Sequence, residues 1–260
     1  FQGSRGLVDV YKRQGNDFVI IDNRQTIINL TKEQIIKICD RKFIGCDQLI
    51  LIKKNDISDA SLEFYNSDGG MSGACGNGTR CIADLLGKEN NKKEIVLTTL
   101  SGKLKSNIVG EKIVSTEIGV AKTKWDEIPL SKELNTNNLG IKINDKNNNE
   151  FSGGTAVNVG NPHVVFFVNN NENFEIKKIG PEIENHSLFP EKCNVTLATV
   201  VNKELIKVRV WERGAGLTKA CGTAACATAF AAKQNGLVND KVDIEFSTGR
   251  LTISIDENNS

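Results

Sequence analysis

Two of the seven cysteines in this 260-residue chain, Cys75 and Cys221, are each followed by glycine and then by a helix-forming run. A thiol at a helix start feels the positive end of the macrodipole, which favours the thiolate and lowers its pKa. The glycine lets a ligand approach the backbone closely, and the free N–H groups of the first turn form an anion site suited to a carboxylate. One such site suggests a cysteine nucleophile. Two suggest an acid/base pair on opposite faces of one carbon, with one thiolate removing an α-proton and the opposing thiol delivering another. The α-hydrogen of an amino acid is a very weak acid, so the N–H donors on its carboxylate must strengthen as enediolate-like charge develops. No pyridoxal-lysine motif or metal-ligand spacing is visible to act as electron sink, and the reaction is expected to need neither cofactor nor metal.

The elements that position these thiols follow from an internal duplication. Ala74-Cys75-Gly76-Asn77-Gly78-Thr79-Arg80-Cys81 aligns with Ala220-Cys221-Gly222-Thr223-Ala224-Ala225-Cys226 at an offset of 146. Gly15-Asn16-Asp17-Phe18-Val19 aligns with Gly160-Asn161-Pro162-His163-Val164 at an offset of 145. Tyr65-Asn66 matches Trp211-Glu212, Gln48 matches Asn194, and the turn glycine Gly102 matches Gly249. Landmarks that keep one register over such a length point to two homologous halves. The expected fold class is α+β: pseudo-symmetric halves over 15–124 and 125–260, each a mostly antiparallel set of strands carrying one main helix.

Within this frame, 17–22 reads as a strand and 77–88 and 223–235 as the two main helices, the latter ended by Gly236. A further amphipathic helix is predicted over 31–42, with Thr31 as N-cap and Ile35, Ile36 and Ile38/Cys39 buried. The Asn-rich stretches 131–150 and 169–173 read as solvated loop. Residues 1–14 resemble an appended, non-native segment standing where a first strand is expected. The first half carries another strand, 112–118, after Gly102, whereas only 11 residues follow Gly249. That difference predicts a C-terminus cut short by one strand.

Composition excludes several classes. With 33 basic and 32 acidic side chains, no excess positive field is available to hold nucleic acid or an anionic membrane surface. The longest apolar runs, such as 164–168, are far shorter than the roughly 20 residues needed to span a bilayer. No signal-peptide layout opens the chain, and a cytosolic protein is expected. Cys39, Cys46, Cys81, Cys193 and Cys226 read as packing residues in a reducing compartment. His186 reads as a surface residue and Arg80 as structural.

The run from Tyr65-Asn66-Ser67-Asp68-Gly69 through Cys75 to Cys81 closely resembles diaminopimelate epimerase. So do Gly160-Asn161-Pro162-His163, Glu212-Arg213-Gly214-Ala215-Gly216-Leu217-Thr218 and Ala220-Cys221-Gly222-Thr223. The resemblance covers about residues 15–256. It implies a cofactor-independent enzyme that interconverts LL- and meso-2,6-diaminopimelate, with two curved sheets, each around a central helix, and the active site in the cleft between them. It implies Cys75 and Cys221 as the acid/base pair, with Cys221 accepting and Cys75 donating in the LL-to-meso direction. Backbone N–H groups of Gly76, Asn77, Gly222 and Thr223 would hold the reacting carboxylate. Asn16, Gln48, Asn66, Asn161 and Asn194 fall on the family's substrate-binding amides, which suit a substrate with two ammonium and two carboxylate groups. Arg213 suits the distal carboxylate and Glu212 an ammonium group. His163 and Glu212 align with residues that adjust the cysteine pKa values. The family also implies a homodimer. Cys46 stands where the family usually has a small residue.

Three other functions are weighed by the same residues. A proline or hydroxyproline racemase shares the two-thiol chemistry but wants a smaller, more apolar pocket than Asn77, the amide set and Arg213 provide. A zinc or redox module lacks Cys-x-x-Cys spacing and has few histidines. A non-catalytic binding protein on this fold would bind substrate without solvent exchange at the α-carbon.

Overall fold

The computed structural model describes residues 8–13, 16–73 and 75–256, with side chains from Asp17 onward. It divides into two units, the first ending at Glu117 and the second starting at Ile118. The division lies seven residues before the 124/125 boundary expected from sequence. Lys122 explains the difference, because its backbone bridges to Asn158 of the second unit.

The first unit runs β1 (Val8–Arg13), β2 (Asn16–Asn23), α1 (Lys32–Cys39), β3 (Gln48–Lys53), β4 (Ala60–Asn66), β5 (Met71–Ser72), α2 (Gly76–Asn90), β6 (Glu94–Thr99), β7 (Gly102–Gly110) and β8 (Ile113–Thr116). Its sheet has the order β1-β2-β3-β4-β6-β7-β8, with β5 paired to β4. Strands β2 and β3 are parallel and joined through α1, β4 and β6 are parallel and joined through α2, and the remaining pairs are antiparallel. Because β2 and β3 are covered on both faces, they read as nearly continuous apolar runs rather than as alternation. Phe18, Ile20, Ile50 and Ile52 pack with Ile82 and Leu86 of α2. Val19, Ile21, Leu49 and Leu51 pack with Ile35 and Cys39 of α1. Helix α2 reaches β1 as well as β6, β7 and β8, so the sheet curls around it.

Val8–Arg13, within the stretch expected to be an appended segment, pairs antiparallel with β2, from Val8 opposite Ile21 to Arg13 opposite Asn16, and so stands as a first strand of this sheet. Residues 1–7, 14 and 15 lie outside the described residues, as do 257–260.

The second unit continues with β9 (Ile141–Asn144), β10 (Glu150–Gly153), β11 (Thr155–Asn158), β12 (Pro162–Phe167), α3 (Ile176–Glu184), β13 (Asn194–Asn202), β14 (Leu205–Glu212), β15 (Gly216–Thr218), α4 (Gly222–Gln234), β16 (Lys241–Phe246) and β17 (Gly249–Ser254). Its main sheet, β11-β12-β13-β14-β16-β17 with β15 on β14, repeats the first from β1 through β7, including the parallel β12/β13 and β14/β16 pairs, and among the described residues no strand corresponds to β8. The register repeats too: Phe18 pairs with Gln48 as His163 pairs with Asn194, and Leu49 pairs with Tyr65 as Val195 pairs with Trp211. Helix α4 is buried nearly all round by its alanines, as expected of a central helix.

Three local expectations give way. The stretch 131–150 is not all loop: β9 and β10 form a hairpin, and Leu139, Ile141 and Ile143 are buried while Lys142 and Asn144 face out. Its period-two pattern was obscured by the asparagines and lysines of the exposed side. Asn171 is buried, and its side chain donates to the Lys207 carbonyl. Ile36 is 41% exposed, because the eight residues of α1 turn only Ile35 and Cys39 fully inward. Thr31 does cap α1, in a complete capping box with Gln34. Among the described residues no helix is long and apolar enough to cross a membrane.

Gly78 allows α2 to lie close to the sheet. A Cβ there would stand 2.8 Å from Ile50 Cδ1 and 2.9 Å from Phe64 Cε1, both on fully buried side chains. Gly78→Ala should therefore lose about 1–3 kcal/mol to overpacking despite alanine's better helix propensity. Urea unfolding checks this through a lowered midpoint at unchanged m.

Candidate active site

Cys75 is the N-cap of α2, half-buried and extended at φ −136°, ψ 109°. Cys221 is the N-cap of α4, 7% exposed, at φ −143°, ψ 119°. The matching backbone geometry makes the duplicated Cys-Gly sequence a duplicated structure. Neither helix start carries an N-cap oxygen, and sulfur is a weak acceptor for first-turn amides; the Cys221 sulfur takes a contact from the Ala224 N–H. Gly76, Asn77, Gly222 and Thr223 are all in those first turns.

The topology gathers most of the other candidates at one end of each sheet. In the first unit Asn16 opens β2, Gln48 opens β3 and Asn66 closes the antiparallel β4. Gln48 and Asn66 are cross-strand partners, and Gln48 Nε2 donates to Asn66 Oδ1 at 2.9 Å. Gln48 Oε1 is buried without a partner in the protein. The Asn16 side chain lies outside the described residues. In the second unit Asn161 precedes β12, Asn194 opens β13 and Glu212 closes β14. Arg80, read as structural, is 7% exposed and donates to Asn77 Oδ1 at 2.5 Å, which orients that carboxamide.

Sequence reasoning missed a clasp around the first set. Arg41 donates to both carboxylate oxygens of Asp17 and to Asp47. The Asp17 N–H donates to Asp47 Oδ2 and the Asp47 N–H to Asp17 Oδ1, each at 3.0 Å. Arg41, ahead of the neighbouring Asp47 contacts, holds the Asp17 carboxyl down at about 2. The clasp fixes the residues next to Asn16 and Gln48. Its signal in the sequence was an aspartate beside each of those two amides.

The second set is more buried and more strongly perturbed. His163 is fully buried, with Nε2 2.8 Å from Asn161 Oδ1 and 3.5 Å from Asn194 Nδ2. The shorter contact, to the acceptor Asn161 Oδ1, places the proton on Nε2, and the longer approach of the Asn194 amide nitrogen is then not a hydrogen bond. Asn194 Nδ2 donates to the Pro162 carbonyl, and Asn194 Oδ1 accepts the Arg213 N–H at 2.9 Å. His163 therefore sits against the candidate amides Asn161 and Asn194. The Arg213 guanidinium is anchored on the Glu191 carbonyl at 2.8 Å.

Burial pushes the Cys221 thiol well above its ordinary value, and the Glu212 carboxyl beside it adds to the effect. The Thr223 hydroxyl, 3.4 Å from Sγ, and the Ala224 N–H oppose it. Burial also raises the Glu212 carboxyl, against opposing contacts with Thr218 and Cys221. Desolvation outweighs the helix-start effect that favours thiolate, and so favours the thiol at Cys221. Cys39, Cys46 and Cys193 behave as packing groups, buried and with thiols raised by burial.

Burial, reinforced by the Arg213 charge, lowers His163 from 6.5 to about 3. The unfolded chain then binds a proton that the folded one refuses, so this contribution to stability is complete above pH 6.5 and is lost as pH falls toward 3. The loss should reach about 2 kcal/mol by pH 5. His163→Gln should show a correspondingly flatter change in denaturant midpoint between pH 7 and pH 5.

The diaminopimelate epimerase family model matches residues 10–124 and 155–260. A diaminopimelate epimerase of Pelagibacter ubique (strain HTCC1062) is 69% identical over 246 residues, covering 95% of this chain and 90% of the relative. One from Phenylobacterium zucineum (strain HLK1) is 43% identical over 240 residues, covering 92% and 86%. Among solved structures, a hydroxyproline epimerase from Agrobacterium vitis superposes with a TM-score of 0.63 at 12% identity, over 96% of this chain and 83% of that one. A PhzF-family protein of Bacillus anthracis gives 0.62 at 15% identity, over 94% and 87%. Those two likenesses are likenesses of fold. The sequence matches, the repeated sheets and the paired Cys-Gly helix starts together show that the chain belongs to the diaminopimelate epimerase family.

Proposed function

We propose that this protein interconverts LL- and meso-2,6-diaminopimelate by a two-base mechanism in which Cys75 and Cys221 act on one α-carbon. The observation that carries the reading is the duplicated N-cap cysteine, each in the same extended backbone geometry and each opening a central helix just ahead of its first-turn amides. The reacting carboxylate takes the amides of Gly76, Asn77, Gly222 and Thr223. As the α-proton leaves, charge moves onto the carboxylate oxygens, and the amide bonds strengthen where the transition state needs them. One sulfur accepts the proton from one face, while the other donates its own from the opposite face, which inverts the carbon. Each turnover therefore moves the enzyme's proton from one sulfur to the other.

The burial that favours the thiol at Cys221 supports its role as donor when Cys75 accepts. The complementary form, with Cys221 accepting and Cys75 donating, serves the LL-to-meso direction. Asn16, Gln48, Asn66, Asn161 and Asn194 hold the rest of a densely polar substrate. Arg213 takes the distal carboxylate and Glu212 an ammonium group, while His163 and Glu212 adjust the thiol pKa values. Family membership further supports a cytoplasmic homodimer in lysine and peptidoglycan-precursor biosynthesis, without nucleic-acid or membrane partners.

Incubation with LL-diaminopimelate in D2O under reducing conditions tests the mechanism. Deuterium should enter the α-carbon with inversion, and Cys75→Ala or Cys221→Ala should abolish epimerisation. Undiminished uptake in both alanine variants would overturn the two-base reading.

A further inference from the structure

The Glu184 carboxylate is buried in the second unit, its side chain only 8% exposed, near the end of α3. A carboxylate in that position is costly unless its oxygens are satisfied. Glu184 Oε2 accepts the Trp211 indole N–H at 2.7 Å, and Oε1 accepts the Gly214 backbone N–H at 3.1 Å. Lys192 supplies a distant counter-charge at 3.8 Å. The two bonded residues bracket Glu212 and Arg213. Gly180, one turn earlier on α3, has no Cβ where one would overlap the Trp211 ring, so the helix can lie directly on that side chain.

We propose that Glu184 is a positioning residue for the reaction, holding the Glu212–Gly214 turn so that Glu212 and Arg213 meet the substrate. The proposal rests on the epimerase reading for what those two side chains do. It stands independently on the geometry of the turn. Arg213 N–H is fixed by Asn194 and Gly214 N–H by Glu184, while Ala215 N–H closes back onto the Glu212 carbonyl at 3.0 Å. Successive amides of the turn are thus held by two buried side-chain acceptors and one backbone carbonyl. Gly214, at φ +73°, supplies the left-handed residue that lets the chain reverse there. Glu184 touches no reacting atom under this assignment and acts through Trp211 and Gly214.

Glu184→Gln is the discriminating substitution. A carboxamide presents one acceptor and one donor group, so it cannot accept at both oxygens and must lose either the indole bond or the turn bond. Two measurements decide the matter. The first is amide hydrogen exchange in wild type and variant, which does not depend on turnover. Exchange should rise about tenfold or more over residues 213–216 while the β12/β13 pair keeps its protection. Unchanged exchange at 213–216, or a rise spread evenly over the unit, would overturn a role in holding this turn.

The second measurement is the split between KM and kcat for the folded fraction. KM for diaminopimelate should rise about tenfold with kcat within about threefold, because binding geometry is lost rather than the thiol chemistry. Trp211→Phe, which removes only the indole bond, should raise KM less. A variant that merely lowers the folded fraction, with KM unchanged, would overturn the proposal. Absence of α-deuterium exchange in the wild type would instead sink the epimerase reading, with hydrogen exchange still deciding what Glu184 does to the turn.

Discussion

A helix that begins at a cysteine leaves its first N–H groups without the oxygen acceptor that serine, threonine, asparagine or aspartate would supply at the same place. This constraint governs both halves of the molecule. The helices concerned are central, wrapped by curved sheets, so their starts are held rigidly in place. Free donors are tolerable there only if solvent or an anionic ligand satisfies them. Gly78 lets α2 sit close enough to the sheet for its first turn to be fixed by Ile50 and Phe64. Under the proposed function, the stability given up at each helix start is what provides a preorganised anion site.

The repeat explains how such a site arises twice. Each sheet places a parallel pair joined by a helix next to an antiparallel strand, so two strand starts and one strand end lie together. Amides at those positions, Asn16, Gln48 and Asn66 in one half and Asn161 and Asn194 in the other, come from segments far apart in sequence. The halves then diverge in electrostatics. The first half is fastened by an exposed Arg41-Asp17-Asp47 clasp. The second relies on buried His163 and Glu184 and half-buried Glu212; where the alignment defines a counterpart in the first half it is not ionisable, Phe18 standing for His163 and Asn66 for Glu212. Two thiols with the same backbone geometry consequently have different surroundings.

Much of this was legible in the sequence because the repeat carries its own register. A spacing conserved between the two copies constrains pairing as well as element type, which is why the matches Phe18 to His163 and Gln48 to Asn194 reappear as equivalent cross-strand pairs. The main helices were read within two residues at each end. Where the reading failed, composition misled it. The asparagines and lysines of 131–150 lie mostly on the exposed side of a hairpin whose other side is buried, and Asn171 looks like loop until its carboxamide is seen to bond the Lys207 carbonyl. Residues 1–14 read as an appended segment, yet Val8–Arg13 pairs with β2, since a strand along one edge needs only compatible backbone and register.

The sequence by itself determined the duplication, the two N-cap thiols, the set of amides and the family, because those depend on residue type and spacing. Only the tertiary structure decided which side chains hold the site in shape. Glu184 is 28 residues before Glu212 in the chain, and Arg41 is 24 residues after Asp17, so no local pattern marks either as a partner. The same is true of the protonation of Cys221 and His163. A helix start alone predicts a lowered thiol pKa, but burial acts in the opposite direction and here is the larger effect. Desolvation is set by everything packed around a group, and that is a property of the folded chain, not of its sequence neighbours.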